Sequence, residues 1–341
     1  MSLKEAVLWE AAEGGKVRCA LCSWRCVIGD GKLGRCHVRK NIAGRLYSLN
    51  YDKVCAANAD PIEKKPLFHF QPGSRSYSIA AGGCNFRCEF CQNWSISQTD
   101  EEECRLGGEG ISPERIVAGA VRERCSTIAY TYTEPTVFME LCAECGVLAR
   151  GQGLRNVFVS NGYMTREAID WAAEWLDAIN VDLKAFTEDY YQRLCHAQLQ
   201  PVLETIEYIA RHTGIWMELT TLLVPGENDG EDELKRLAGF IVDKAGPDVP
   251  WHVSRFYPQY KYTDADATPT SSLELAYNVG RAAGLRYVYV GNVPGSPLES
   301  TYCDNCGQAL IERVGYHIAA NRVRAGRCPE CGTAVAGVEL G

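Results

Sequence analysis

The chain is predicted to be an α/β protein: a partial (β/α)6 barrel with a small cysteine-rich, metal-binding appendage at each end. Three observations predict it. Strand-like and helix-like patterns alternate at least six times between residues 76 and 295. Eleven of the 17 cysteines fall into three groups, Cys19/Cys22/Cys26/Cys36, Cys84/Cys88/Cys91 and Cys303/Cys306/Cys328/Cys331. Periodicity is poor on either side of the alternating stretch. The expected division is a metal-stapled region over 1–70, a core over 71–298 and a small C-terminal module over 299–341.

The elements follow in order. "SYSIAAGG" reads as a strand and runs straight into the second cysteine group. "SPERIVAGAVRER" opens with a Ser cap, Pro at the first helical position and Glu behind it, the pattern of a helix start. Strand "STIAYTYTE", helix "PTVFMELCAECGVLARG", strand "NVFVSNG", helix "TREAIDWAAEWL" and strand "AINVDLKAF" continue the series, with helical pattern to about residue 212. "WMELTTLLVPG", helix "EDELKRLAGFIVDKA", strand "WHVSRFYP", helix "SSLELAYNVGRAAG" and strand "YVYVGN" complete it. The strands are apolar on both faces, as a buried parallel sheet requires. The stretch is short for a full eight-fold barrel, which takes about 250 residues.

Composition narrows the function. The 341 residues carry 35 Lys+Arg against 43 Asp+Glu, a formal charge of −8, and nucleic-acid binders need a basic footprint instead. The N-terminal "MSLKEAVLWEAAEGG" has no signal-peptide h-region, and no apolar run approaches a membrane span, so a cytoplasmic location is expected. In a reducing compartment clustered cysteines point to metals rather than disulfides.

"GGCNFRCEFCQNW" presents Cys84, Cys88 and Cys91 at C-x3-C-x2-C spacing, just after the first strand. In parallel α/β folds, sites are built at that end of the strands. A [4Fe–4S] cube normally takes four thiolates; three leave one iron open, and an open position marks a reactive centre. The bland alternative is zinc with a distant fourth ligand, or three incidental cysteines. "CDNCG" and "CPECG" form two C-x2-C-G knuckles whose four thiolates suit one closed tetrahedral ion, zinc or rubredoxin-like iron. Cys19, Cys22, Cys26 and Cys36 suit zinc, an auxiliary Fe–S cluster, or no metal, with His37 adjacent. Of the other six cysteines, Cys142 and Cys145 share a helix face and read as core. Cys55 and Cys195 sit in loop-like sequence as possible substrate contacts; Cys104 and Cys125 carry no specific signal.

"CNFRCEFC" resembles the C-x3-C-x-φ-C loop of the radical S-adenosylmethionine (SAM) superfamily. With "DPIEKKPLFHF", "CQNW", "YTYTEPTVF", "VSNGY", "NVDLKAF" and "PWHVSRFYP", nearly the whole chain resembles the pyruvate formate-lyase-activating-enzyme-like branch, and more narrowly the radical SAM member of the AmmeMemoRadiSam system. The resemblance implies an oxidoreductase whose [4Fe–4S] cluster binds SAM at its unique iron and reductively cleaves it to a hydrogen-abstracting radical. It also implies SAM-binding roles for Glu134, Ser160, Asn161, Asp182 and Lys184. Tyr132-Thr133-Glu134 stands where activating enzymes have Gly-Gly-Glu, so the glutamate is kept and the glycines are not. Each residue has a plainer reading: a helix-start carboxylate for Glu134, an Asn-Gly turn for Asn161, and an ion pair for Asp182 with Lys184. His252 and Arg255 lead into Phe256-Tyr257-Pro258 where activating enzymes have a substrate-contacting His, so that role is not carried over; Asn292 is the residue that analogy places near adenine. The partners implied are a protein substrate such as a glycyl radical enzyme, a one-electron donor such as flavodoxin or ferredoxin, and a Memo-like protein. Rival readings are radical SAM modification of RNA or a small molecule, and a non-catalytic scaffold stapled by its metals.

Overall fold

A computed structural model describes residues 3–98, 108–293 and 295–341. Cys104 lies outside the described residues. Seven parallel strands carry the architecture: β2 (Arg75–Ala81), β3 (Thr127–Tyr130), β4 (Arg155–Ser160), β5 (Ala178–Asp182), β6 (Trp216–Leu223), β7 (Trp251–Arg255) and β8 (Val288–Gly291). They are hydrogen-bonded in chain order, so the sheet is built from six successive β/α units and a last strand. An earlier strand, β1 (Lys53–Pro61), pairs antiparallel to β2 with Asp60 opposite Ser76. The segment before residue 71 therefore contributes a strand to the central sheet.

The crossover helices are α1 (Pro113–Arg122), α2 (Met139–Gly151), α3 (Arg166–Ala173), α4 (Gln200–His212), α5 (Glu231–Phe240) and α6 (Thr270–Ala283). Local chemistry sets their starts. Ser112 Oγ accepts the Arg115 amide ahead of α1, and Thr165 Oγ1 accepts the Ala168 amide ahead of α3. Outward-facing Tyr130 and Phe158 pack on Trp175 behind the sheet.

The opposite face explains the polar residues inside these strands. On β5 and β6, alternate residues Ala178, Asn180 and Asp182, and Glu218, Thr220 and Leu222, point away from the helices. The lower ones hold a plug. The segment 62–70 enters the N-terminal end of the barrel, where Ile62, Leu67 and Phe70 pack on Ala129, Val157 and Ala178. Asn180 Nδ2 donates to Pro66 O at 2.8 Å, and the Glu218 carboxylate accepts the Phe68 and His69 amides at 2.9 and 2.8 Å. The upper ones, Asp182, Thr220 and Leu222, line a cavity at the C-terminal strand ends.

Both ends of the chain are more regular than their sequence periodicity suggests. The first 50 residues form two three-stranded antiparallel sheets, Trp9–Ala11/Val17–Cys19/Val27–Ile28 and Lys4–Glu5/Arg45–Ser48/Arg39–Ile42. The C-terminal module is a third, Thr301–Tyr302/Ala309–Val314/His317–Asn321, which buries Leu310, Ile311 and Val323 against Phe68, Tyr287 and Tyr289. Strands of two to six residues are too short to show an alternation. Among the described residues no helix is long and apolar enough to cross a membrane.

Candidate active site

The C-terminal strand ends enclose a cavity of about 510 Å3. Cys84, Cys88 and Cys91 line it, and so do Glu134, Ser160, Asn161, Asp182 and Lys184. The fold thus gathers residues from the loops after β2, β3, β4 and β5 around one space. Asn292, after β8, reaches the same cavity, which requires the sheet to curve into a partial barrel.

The cysteine loop is fixed from several sides. The Arg87 and Glu89 amides donate to Cys195 O and Leu194 O at 3.1 and 2.9 Å, and Arg87 Nη1 donates to Cys84 O at 2.6 Å. Asn161 Nδ2 donates to Asn85 Oδ1 at 2.7 Å, tying the loop to the turn after β4. Phe86 and Phe90 are buried, Phe86 edge-on to Tyr163 and Tyr191. The Phe86 amide donates to Cys84 Sγ at 3.3 Å, and Ser97 Oγ lies 3.2 Å from Cys91 Sγ. Burial pushes the Cys84 and Cys91 thiols above their ordinary range. The Cys88 thiol is held up first by a hydrogen bond with Cys195 and then by burial. Such thiols ionise when a metal displaces the proton. Three thiols on one cavity wall, with amide and hydroxyl donors to sulfur and open space beyond, fit an iron–sulfur cluster ligated at three corners.

Glu134 is the polar hub of the same cavity. It is buried, and its Oε1 accepts from Thr136 N, Thr136 Oγ1 and Ser160 Oγ at 3.0, 2.6 and 2.8 Å. Its Oε2 accepts the Asn161 amide at 2.8 Å, leaving one acceptor position toward the cavity. Burial nonetheless raises its pKa, so the charged form costs stability above the ordinary Glu range. A carboxylate kept at such a cost is a functional-site candidate. Asp182 and Lys184 pair with each other at 2.9 Å, which satisfies the charge of a half-buried lysine beside Phe90.

Other residues fall elsewhere. His252 lies at the start of β7, the opposite end of the barrel, with its Nε2 2.7 Å from Glu218 Oε2. Cys55 is inside β1 and points its Sγ at Ala80 O, rather than sitting in a loop. Cys195 ends a wide, π-type helical turn, Tyr191–Cys195, and is buried against the cysteine loop rather than lying in a loop itself. Their flanking polar residues masked these elements in the sequence. Cys142 and Cys145 are buried in α2.

Sequence reasoning missed a charged cluster at the cavity edge. Lys65 is buried with its Nζ 2.8 Å from Asp60 Oδ2; Lys64 pairs with Asp60 Oδ1, and Tyr132 Oη donates to Asp60. Burial lowers Lys65 to about 8 against Asp60's pull. The signal was "DPIEKKP", two lysines four and five residues past an aspartate.

At the C-terminal end, Cys303, Cys306, Cys328 and Cys331 bring their sulfurs within 4.8 Å of one another. Cys303 Sγ and Cys331 Sγ are 3.5 Å apart, Cys306 Sγ and Cys328 Sγ 3.7 Å. Four Zn–S bonds of about 2.3 Å in a tetrahedron put sulfurs about 3.8 Å apart. The two knuckles repeat one geometry: the Gly307 and Gly332 amides each donate to the first cysteine's carbonyl at 2.9 Å, with φ of +73° and +75° that favour glycine.

A parallel (β/α) half-barrel with three loop cysteines on a polar cavity at its strand ends defines an enzyme class that works through an open iron–sulfur centre. The Radical SAM superfamily model matches residues 78–238. The chain is 46% identical over 332 residues to the uncharacterized protein MJ0808 of Methanocaldococcus jannaschii, spanning 97% of this chain and 98% of that protein. It is 24% identical over 194 residues to the pyruvate formate-lyase 1-activating enzyme of Escherichia coli, 53% of this chain and 75% of that one. In fold it is similar to a radical SAM methyltransferase from Sphaerobacter thermophilus, with TM-score 0.50 and 16% identity over 70% of this chain and 71% of that one. The chain carries a radical SAM domain over residues 78–238, and it is a radical SAM enzyme.

Proposed function

We propose that the enzyme activates a protein substrate by hydrogen abstraction, in the manner of the activating enzymes it distantly resembles. The observation that carries this is the shared cavity: Cys84, Cys88 and Cys91 line it together with Glu134 and Asn161, and it has room for a nucleoside-sized ligand. In this reading Cys84, Cys88 and Cys91 would hold a [4Fe–4S] cluster, which would bind SAM and, once reduced, supply the electron for its cleavage. Glu134 Oε2 accepts the SAM amino group, Lys184 swings from Asp182 to the SAM carboxylate, and Ser160 with Asn161 flanks the ribose. The plug and the buried aromatics keep water out of the space.

The one-electron donor is an acidic redox protein such as flavodoxin or ferredoxin. What supports it is a second cleft of about 370 Å3 beside the cysteine loop, lined by Arg35, Arg87, Lys261, His37 and His196, with Glu89 the one acidic side chain among its described lining residues, on a chain of net charge −8. We read residues 71–298 as the catalytic core, the C-terminal quartet as a zinc site and the protein as cytoplasmic. By motif resemblance we place it in the AmmeMemoRadiSam system with a Memo-like partner. The test is anaerobic reconstitution with iron and sulfide, then dithionite and SAM, with 5′-deoxyadenosine as readout. Production that depends on Cys84 supports the reading; no product above a Cys84→Ala control ends it.

A further inference from the structure

The N-terminal cysteines stand against the back of the cysteine loop. Cys19, Cys22, Cys26 and Cys36 line one small cavity of about 10 Å3, the room of a single atom or water. Three of the four are buried. Their sulfurs are more widely set than the C-terminal four, so an ion would draw them inward. Arg39 lines the same cavity and is itself buried. Its Nη2 donates to Glu140 Oε1 at 2.5 Å and its Nη1 to Val7 O at 3.3 Å, but its buried Nε–H has no partner. An orphaned donor beside four thiols is a standing cost of about 1–3 kcal/mol, which a thiolate sulfur would remove.

The same residues shape the cluster loop. Gly83 precedes Cys84 at φ +103°, and a Cβ there would meet Val38 Cγ1 at 2.5 Å and Cys36 O at 3.3 Å. Trp24, between Cys22 and Cys26, donates its Nε1 to Asn85 O at 3.0 Å. Arg35, next to Cys36, accepts Arg87 Nη2 on its carbonyl at 2.9 Å and lays its guanidinium 3.9 Å from the Trp24 ring centroid. Three separate contacts on residues 83–87 therefore come from residues next to the N-terminal thiols.

We propose that Cys19, Cys22, Cys26 and Cys36 hold one metal ion as thiolates, with the Arg39 Nε–H bonded to sulfur, and that this ion anchors the Gly83–Cys91 loop in its cluster-binding shape. The anchoring half rests on the reading of that loop as the cluster site; the ion itself does not. Binding exchanges the four thiol protons for one divalent ion, without redox change.

The test uses the full chain in a Cys331→Ser background, which removes the C-terminal quartet. Metal analysis of protein isolated before cluster reconstitution should find one zinc or iron per chain without sulfide, lost in Cys26→Ser. Arg39→Lys keeps a cation for Glu140 but deletes the Nε–H, and should release the ion to a chelator about 10–100-fold faster. Cys26→Ser should then take up severalfold less iron and sulfide on reconstitution. An ion count unchanged by Cys26→Ser, or no ion in the background protein, overturns the site. Full iron and sulfide loading of Cys26→Ser overturns the anchor. Unchanged release from Arg39→Lys overturns the role of Arg39. If the parent chain binds this ion but takes up no iron at Cys84, Cys88 and Cys91, the anchor falls with the cluster reading and the ion site stands.

Discussion

Glu134→Gln separates the two roles of the hub. The carboxylate spreads four accepted hydrogen bonds over two oxygens, three on Oε1 and the Asn161 amide on Oε2. An amide has one oxygen. If that oxygen keeps the threefold position, its NH2 faces the Asn161 N–H, donor against donor, in a buried site. Hydrogen bonds to charged groups contribute about 1.5–3 kcal/mol, and a buried unsatisfied donor costs about 1–3 kcal/mol. Against this, the substitution removes a buried charge whose raised pKa already subtracts stability at neutral pH. The net expectation is a loss of about 1–2 kcal/mol in urea denaturation of the unreconstituted protein. SAM affinity should fall more, because the open acceptor on Oε2 becomes a donor facing an ammonium. A lost charge-assisted bond of about 1.5–3 kcal/mol is roughly 10–100-fold in Kd. Equilibrium dialysis of SAM against the reconstituted variant reads this directly. Unchanged affinity with reduced stability would refute the binding role and leave a structural turn carboxylate.

Three further outcomes follow from other features. Gly162→Ala puts a Cβ 2.6 Å from Val181 Cγ1 at φ +71°, whereas Gly153→Ala has φ +75° with nothing within 4 Å; the first should cost about 1–3 kcal/mol more than the second in urea melts, and equal losses would mean that β5 gives way. Burial holds His69 down at about 4, neutral between Ala336 O and Tyr289 Oη, so between pH 6.5 and 4 the unfolded state binds the extra proton and stability falls as pH drops. The full span is about 3 kcal/mol; His69→Gln should flatten the pH dependence, and parallel curves would clear the histidine. Cys331→Ser should cost one equivalent of zinc or iron and expose the Tyr287–Tyr289 face to proteolysis; retention of that equivalent would assign the metal elsewhere.

The core was legible because its signals are local. Ser112 and Thr165 announce helix starts, and continuous apolar runs such as Val157–Val159 announce buried parallel strands. The cysteine groups were legible from spacing alone. What could not be read were contacts between distant segments. Glu218 in "WMELTTLL" looks anomalous in a buried strand until Phe68 and His69 arrive from 150 residues away to donate their amides. Arg39 likewise reads as a surface charge, and only the fold sets it between Glu140 and four thiols. The SAM-side candidates came from motif resemblance, since nothing in the spacing of Glu134, Ser160 and Asp182 places them around one cavity.

The most direct test of the central claim is Mössbauer spectroscopy of the iron-enriched, reconstituted protein before and after SAM. The expected spectrum is that of a cube of four irons held by Cys84, Cys88 and Cys91, with one iron changing its signature on SAM addition. Four irons that all stay the same with SAM, or a loop that loads no cube, would contradict it.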